Sequence, residues 1–205
     1  MIFARKPGQQ RGQACLPCFG LTTPMKALHA RTAPASRALE FTILTAARTG
    51  EVLGARWSEI DVEVKIWTIP GARMKGGKEH RVPLSARALA ILAAARPADA
   101  RTADLVFPGA NPGKPLSNMA MLTLLRRMGR NDLTTHGFRS TFRDWGSERS
   151  NYPNELLEMA LAHSVGDKVE AAYRRGDLFD KRRSLMEVWA IFAQRTRAVS
   201  ESSVG

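Results

Sequence analysis

The sequence predicts a mainly α chain with one small antiparallel β-sheet, an α+β arrangement. Two observations predict it. From Ala35 onward, apolar residues recur at three- and four-residue spacing in one segment after another. One stretch, residues 62–84, instead alternates, is rich in branched and aromatic residues, and contains a Gly76-Gly77 turn signal. With 205 residues, 44% of them hydrophobic, the chain has material for a real core.

Residues 1–24 show no period. Pro7, Gly8, Gly12, Pro17, Gly20 and Pro24 are spaced by Gln and Arg, and the stretch reads as a flexible lead-in. The main domain is expected over 25–197, and 198–205, "SESSVG" with its neighbours, reads as a disordered tail. A helix is expected from Ala35, with Ser36 at its cap and Leu39, Ile43 and Ala46/Ala47 on one face. "TGEVLGARWSEID" continues as a second short helix ending near Asp61. "VEVKIWTIP" then reads as a strand from Val62, with Trp67 and Ile69 out of step with Val62, Val64 and Ile66. A tight turn with a lysine on each side leads to a second strand. Ser85 caps the helix "ARALAILAAAR", and Ser117 opens "SNMAMLTLLRRMGR". Thr134 or Thr135 caps the helix containing "HGFRSTFRDW", whose Phe138, Phe142 and Trp145 form one buried stripe. "NELLEMALAH" reads as a helix ending at His163. In the last helix Leu185, Trp189 and Phe192 share a face that either closes the core or docks on a neighbouring copy.

Charge is lopsided: 31 Lys+Arg against 19 Asp+Glu give a net +12. Surplus cations near phosphates release counterions, so a polyanionic partner is expected, nucleic acid first and an anionic membrane surface second. The two cysteines, Cys15 and Cys18, form one CxxC with no histidine pair nearby, which is half a zinc site, and they read as chemically idle. Two cysteines make no disulfide scaffold, and no apolar run reaches the roughly 18–20 residues of a membrane span. A soluble protein of the reducing bacterial cytoplasm is expected, with no membrane partner and no signal peptide.

Several polar residues stand out. His136 and Arg139 lie three apart on one helix face, away from the aromatic stripe. Alone, that pair fits a solvated face as well as a phosphate site. Arg48 follows the apolar "LTAA", and Glu51 is three residues on; this is a simple ion pair or an arginine aimed at an anion. His163 is a helix-end cap or a ligand. Tyr173, in "AAYRRG", is a core residue, a stacking residue or a nucleophile whose phenolate is favoured by Arg174 and Arg175.

In order, these residues resemble the catalytic domain of the tyrosine recombinases, and within them the prophage integrases. The family order is Arg, Lys, His-x-x-Arg, His or Trp, Tyr. It is met by Arg48 in "ARTGEV", Lys75 in "RMKGGKEHRVPLS", His136 and Arg139 in "HGFR", His163 in "LAH" and Tyr173 in "AAYRRG". The resemblance runs from about Met25 to Gln194 and implies the tyrosine recombinase catalytic-domain fold.

The resemblance also implies the chemistry. Tyr173 would attack a DNA phosphodiester, leaving a 3′-phosphotyrosyl link and a free 5′-hydroxyl, with no ATP. Arg48 and Arg139 would clamp the non-bridging oxygens, so that no metal or other cofactor is called for. Lys75 would protonate the leaving oxygen, with Lys78 a competitor for that role. His136 would assist proton transfer, His163 would bond the phosphate, and Glu51 would support the arginines. Lys78, Arg126, Arg127, Arg130, Arg143, Arg174 and Arg175 are expected on the DNA backbone or as solvated charges. The expected partner is double-stranded DNA, held by a homo-tetramer of a chain that is monomeric in solution.

Full integrases carry an N-terminal helical domain that closes around DNA. The pattern here starts almost at once, so the chain reads as a catalytic domain or a truncated prophage remnant. Two other readings stay open: a non-catalytic DNA-binding remnant, and relaxation of DNA in the manner of a type IB topoisomerase.

Overall fold

The computed structural model describes residues 21–163 and 177–195. They form eight α-helices and one three-stranded sheet. In order these are α1 (Thr22–His29), α2 (Pro34–Thr45), α3 (Thr49–Leu53), β1 (Ile60–Asp61), β2 (Ile66–Ile69), β3 (His80–Pro83), α4 (Ala86–Ala95), α5 (Ala120–Arg127), α6 (Gly137–Arg149), α7 (Asn154–Ala160) and α8 (Phe179–Gln194). The mainly α chain with a small antiparallel sheet is therefore what the molecule has. Residues 1–20, including Cys15 and Cys18, and residues 196–205 lie outside the described residues.

Helix α2 is the centre. It packs against α1, α4, α5 and α8, and its residues from Ala38 to Thr45 are all buried. Such a helix must satisfy its own polar groups. Thr42 and Thr45 donate to the carbonyls one turn back, at 2.7 Å each. Glu40, 2% exposed, accepts two bonds from Arg87 at 2.8 and 3.0 Å. Phe41 meets Trp67 of β2 and Phe107, with ring centres 5.3 and 5.5 Å apart.

A second aromatic cluster joins α6 to α8. Phe138, Phe142 and Trp145 are buried as one stripe, and Trp189 lies 5.1 Å from Trp145 and 5.3 Å from Phe142. The Trp189 indole donates to the Ile43 carbonyl at 2.8 Å. Leu185 and Trp189 are fully buried and Phe192 stacks on Trp189, so this face of α8 closes the core.

The sheet has the order β1-β2-β3, with Trp67 opposite Ile60 and Val82, and Ile69 opposite His80. Trp67 and Ile69 take the buried face. The expected strand from Val62 is instead a turn. The Asp61 carboxylate accepts from the amides of Glu63 and Val64, Lys65 is left-handed at φ 59°, and Val62 and Val64 are exposed. This turn puts Trp67 in step with the core. The Gly76-Gly77 turn does separate two antiparallel strands, as expected, with Gly77 left-handed at φ 67°.

Other boundaries differ from expectation for local reasons. Helix α1 lies across the end of the expected lead-in, because Leu21, Met25 and Leu28 form an apolar stripe; Pro24 is tolerated in its first turn, where amides lack helical partners. Helix α2 begins at Pro34, so Ser36 is a buried interior residue and not the cap. Helix α3 stops at Leu53 and gives way to a 3₁₀ turn at Trp57–Glu59. Ser85 caps α4 as expected, accepting from Ala88. Ser117 precedes α5, which starts at Ala120. Thr134, of the two candidates, accepts from the Gly137 amide at 3.0 Å at the start of α6. Helix α7 ends at Ala160, short of His163. No helix among the described residues is long and apolar enough to cross a membrane.

Candidate active site

The site is built where three chain turns meet. Helix α2 ends at Thr45, and Ala46 enters the left-handed region at φ 50°. That turn delivers Arg48 to the cap position of α3. Glu51, buried at its third position, holds Arg48 at both ends: it accepts from the Arg48 amide at 2.7 Å and from the Arg48 guanidinium at 2.8 Å. Arg48 also reaches the Ala162 carbonyl at 3.4 Å.

Arg139 comes from the first turn of α6 and is 4% exposed. It donates to the Ala46 carbonyl, and at 2.6 Å to the Leu161 carbonyl. Its Nη2 lies 3.3 Å from Nε2 of His163. Its Nε is buried with no partner.

His163 follows α7 after a second left-handed residue, Ala162 at φ 49°. Its Nδ1 faces Glu158 Oε2 at 2.6 Å, and Glu158 Oε1 accepts from Arg143 at 2.7 Å. A carboxylate on one ring nitrogen fixes the ring and turns the other nitrogen toward Arg139. His136 is exposed at the start of α6. Partial desolvation of its ring against the protein, then the cations Arg139 and Arg48, hold it below the usual imidazole range.

The structure therefore brings Arg48, Arg139, His136 and His163 together from three separate elements, with Glu51 behind them. Burial, then the neighbouring Arg48 cation, lowers Arg139 to about 10, still charged at neutral pH. Arg139 is held by backbone carbonyls and not by a carboxylate, so its charge is left to receive an anion at this corner.

Lys75 and Lys78 flank the Gly76-Gly77 turn and are exposed. The loop bearing them is closed by Gly71, where an added Cβ would lie 2.5 Å from the Gly77 carbonyl oxygen. Arg73 ties the loop inward: it donates to the Glu51 carbonyl at 3.0 Å and to the Glu59 carboxylate.

Of the expected backbone-binding residues, Arg126 and Arg127 are exposed in the last turn of α5. Arg130 pairs with Asp132 at 2.6 Å, and Arg143 is engaged by Glu158. Tyr173, Arg174 and Arg175 lie outside the described residues.

Four residues at the site were not singled out from the sequence: Arg73, His80, Glu158 and Asp177. His80, on β3, is held at about 4, chiefly by burial and then by Arg182; the Arg139 cation adds to this, while Glu51 and a hydrogen bond to the Ala160 carbonyl oppose it. Asp177 Oδ2 receives Arg81 at 2.8 Å and Arg182 at 2.7 Å, while Arg182 also donates to the Arg81 carbonyl. This cluster pins the start of α8 to β3. Glu158 stands five residues before His163, one more than a helical turn, and the extra residue is the left-handed Ala162.

The sequence model of the phage integrase family matches residues 21–177. The prophage integrase IntA of Escherichia coli K12 is 37% identical over 150 residues, 72% of this chain and 36% of that protein. The integrase of Shigella phage Sf6 is 34% identical over 148 residues, 71% of this chain and 38% of its own length. The chain thus spans well under half the length of these relatives. Among solved structures, the integrase from mycobacterium phage Brujita matches with a TM-score of 0.65 at 19% identity, covering 96% of this chain and 63% of the other. A lambda integrase dimer bound to a COC′ core site matches at 0.57 and 17% identity, covering 84% and 62%.

Proposed function

The chain belongs to the phage integrase family, and on that premise we propose that it cuts and rejoins double-stranded DNA through a tyrosine–phosphate intermediate. The observation that carries this reading is the convergence of Arg48, Arg139 and His163 on one corner, each held from behind by a carboxylate or a backbone carbonyl. Groups fixed from behind leave their outer faces for a ligand and need little reorganisation when charge develops.

In the proposed step the Tyr173 oxygen forms a bond to phosphorus and the bond to the 5′-oxygen breaks. The phenol proton leaves with help from His136, whose affinity for a bound proton is held below the usual imidazole range, so that its ring is open to accept one. The 5′-oxygen takes a proton from Lys75. Arg48 and Arg139 each place guanidinium N–H groups on the non-bridging oxygens, and His163, its Nδ1 held by Glu158, offers Nε2 as the third hydrogen-bonding group. The two guanidinium groups neutralise the charge of the transition state, so the reading calls for no metal. Return of a 5′-hydroxyl from another strand reverses every bond, which joins the strands anew.

Arg126, Arg127 and the lysine loop supply sequence-independent phosphate contacts in this reading, and Arg174 and Arg175 flank the nucleophile. Recombination would take four copies assembled on DNA from monomers, in the bacterial cytoplasm on the nucleoid. A lead-in before α1, a domain from α1 to about residue 197 and the tail are proposed as the chain's organisation.

The test is covalent trapping. Nicked, labelled DNA carrying attachment sequences is mixed with the chain and run on a denaturing gel beside Tyr173→Phe. A shifted band that disappears in the variant is the expected result. DNA retained in a native gel at low salt without any covalent band would refute the reading for this chain and leave a binding remnant. Relaxation of supercoiled DNA without site preference would favour the topoisomerase-like alternative.

A further inference from the structure

We infer that Arg73 is a positioning residue that sets the Lys75 loop against the phosphate-binding corner. The inference rests on the proposed role of Lys75 as the proton donor.

Arg73 ends a 3₁₀ turn, Gly71–Arg73, two residues before Lys75. Its guanidinium is spread between two anchors that differ in kind. One is the Glu51 carbonyl at 3.0 Å, the residue whose side chain holds Arg48. The other is the Glu59 carboxylate, which also accepts from the Trp67 indole at 3.0 Å. Trp67 is fully buried, so Glu59 is itself fixed to the core. The lysine loop is therefore keyed to the same residue, Glu51, that orients the first catalytic arginine.

The surroundings are shaped for this contact. An added Cβ on Gly54 would meet Arg73 Nη1 at 2.7 Å. The absence of a side chain there is what lets the guanidinium reach the α3 backbone. On the far side Gly71 lies against the Gly77 carbonyl, which holds the loop closed around the Lys75 turn. A lysine at position 73 would keep a positive charge for Glu59. It could not bridge both anchors, because one ammonium lacks the planar fork.

This role makes a distinct kinetic prediction. A lysine that protonates the leaving oxygen becomes dispensable when that oxygen is replaced by sulfur. An alkyl thiol has a pKa of about 8.5, so the thiolate leaves without a proton. A residue that acts by placing Lys75 shares that rescue. A residue that places Arg48, or merely supports the fold, does not.

The experiment compares cleavage of an ordinary phosphodiester and a 5′-bridging phosphorothiolate by the wild-type chain, Lys75→Ala, Arg73→Lys, Gly54→Ala and Arg48→Lys. The ratio of the two rates on one preparation does not depend on how much of that preparation is folded. Arg73→Lys is expected to cut the phosphodiester about 10- to 100-fold more slowly and the sulfur substrate within about threefold of wild type. Gly54→Ala, which pushes the end of a flexible side chain, is expected to show the same pattern. Arg48→Lys stays slow on both. Equal slowing of Arg73→Lys on both substrates, with Lys75→Ala rescued, overturns the inference and leaves the proton-donor role standing. Wild-type speed of Arg73→Lys on the phosphodiester overturns it too. Failure of the sulfur to rescue Lys75→Ala removes the proton-donor role of Lys75, and the inference with it.

Discussion

His80 makes the stability of the site sensitive to acid. The ring sits between Arg182, Glu51, Arg139 and the Ala160 carbonyl, and its pKa is lowered from 6.5 to about 4. The folded chain therefore resists protonation that the unfolded chain accepts. The sign follows: the contribution is fully present above about pH 6.5 and is lost as pH falls toward 4. Between pH 7 and about pH 4.5 the linkage amounts to about 2.4 kcal/mol for a shift of this size. The ring keeps some solvent contact, so roughly half of that, about 1 kcal/mol, is expected. The perturbation is His80→Gln, which keeps a neutral donor for Ala160 but cannot take the proton. Urea unfolding of both proteins at the two pH values gives the difference of differences, in which other acid-sensitive groups such as Asp177 and Glu158 cancel. The wild type should lose about 1 kcal/mol more than the variant on acidification. Equal losses, within about 0.3 kcal/mol, would show that His80 is not held neutral by this environment.

Three other substitutions probe the frame. Trp189→Ala empties a fully buried site beneath α6 and should cost about 3–5 kcal/mol, seen by calorimetry as a drop in Tm on the order of 10 °C; a change under about 2 °C would contradict the packing. Gly71→Ala should destabilise by about 1–3 kcal/mol and slow cleavage, because its Cβ meets backbone at 2.5 Å, whereas Gly76→Ala, with open space around it, should stay within about 0.5 kcal/mol of wild type in urea unfolding.

Much of the fold was legible because it depends on period. The Phe138, Phe142, Trp145 stripe and the Ser85 cap are local patterns, and the structure has both. Boundaries went astray where a single turn residue decides them. Asp61 turned an expected strand into a loop by accepting two amides, and no alternation reveals that. Helix α1 carries an apolar stripe, but Pro24 and its glycine-rich approach hid it. At the site, Arg48, His136, Arg139 and His163 were singled out by their order along the chain, and the structure brings these four together. Glu158 and Arg73 were not, because their roles lie in what they touch. An arginine bonded to a carbonyl 22 positions back has no sequence signature.

The chemistry of the corner also explains its odd backbone. Packing Arg139 beside Arg48 is unfavourable, since burial and then the Arg48 cation lower the affinity of Arg139 for its proton. Carboxylates alone could offset this, but they would fill the place of an incoming phosphate. The chain uses carbonyls for much of it. Ala46, Leu161 and Ala162 present their oxygens to the two arginines; Ala46 and Ala162 are themselves left-handed, and Leu161 adjoins Ala162. For alanine that region costs roughly 1–2 kcal/mol per residue. Strain of this kind persists when the surroundings over-determine it. Here the turn after α2 and the turn after α7 are each locked by the arginine they bind. Neutral dipoles hold the cations in place without cancelling their charge, and that retained charge is what a phosphodiester would meet.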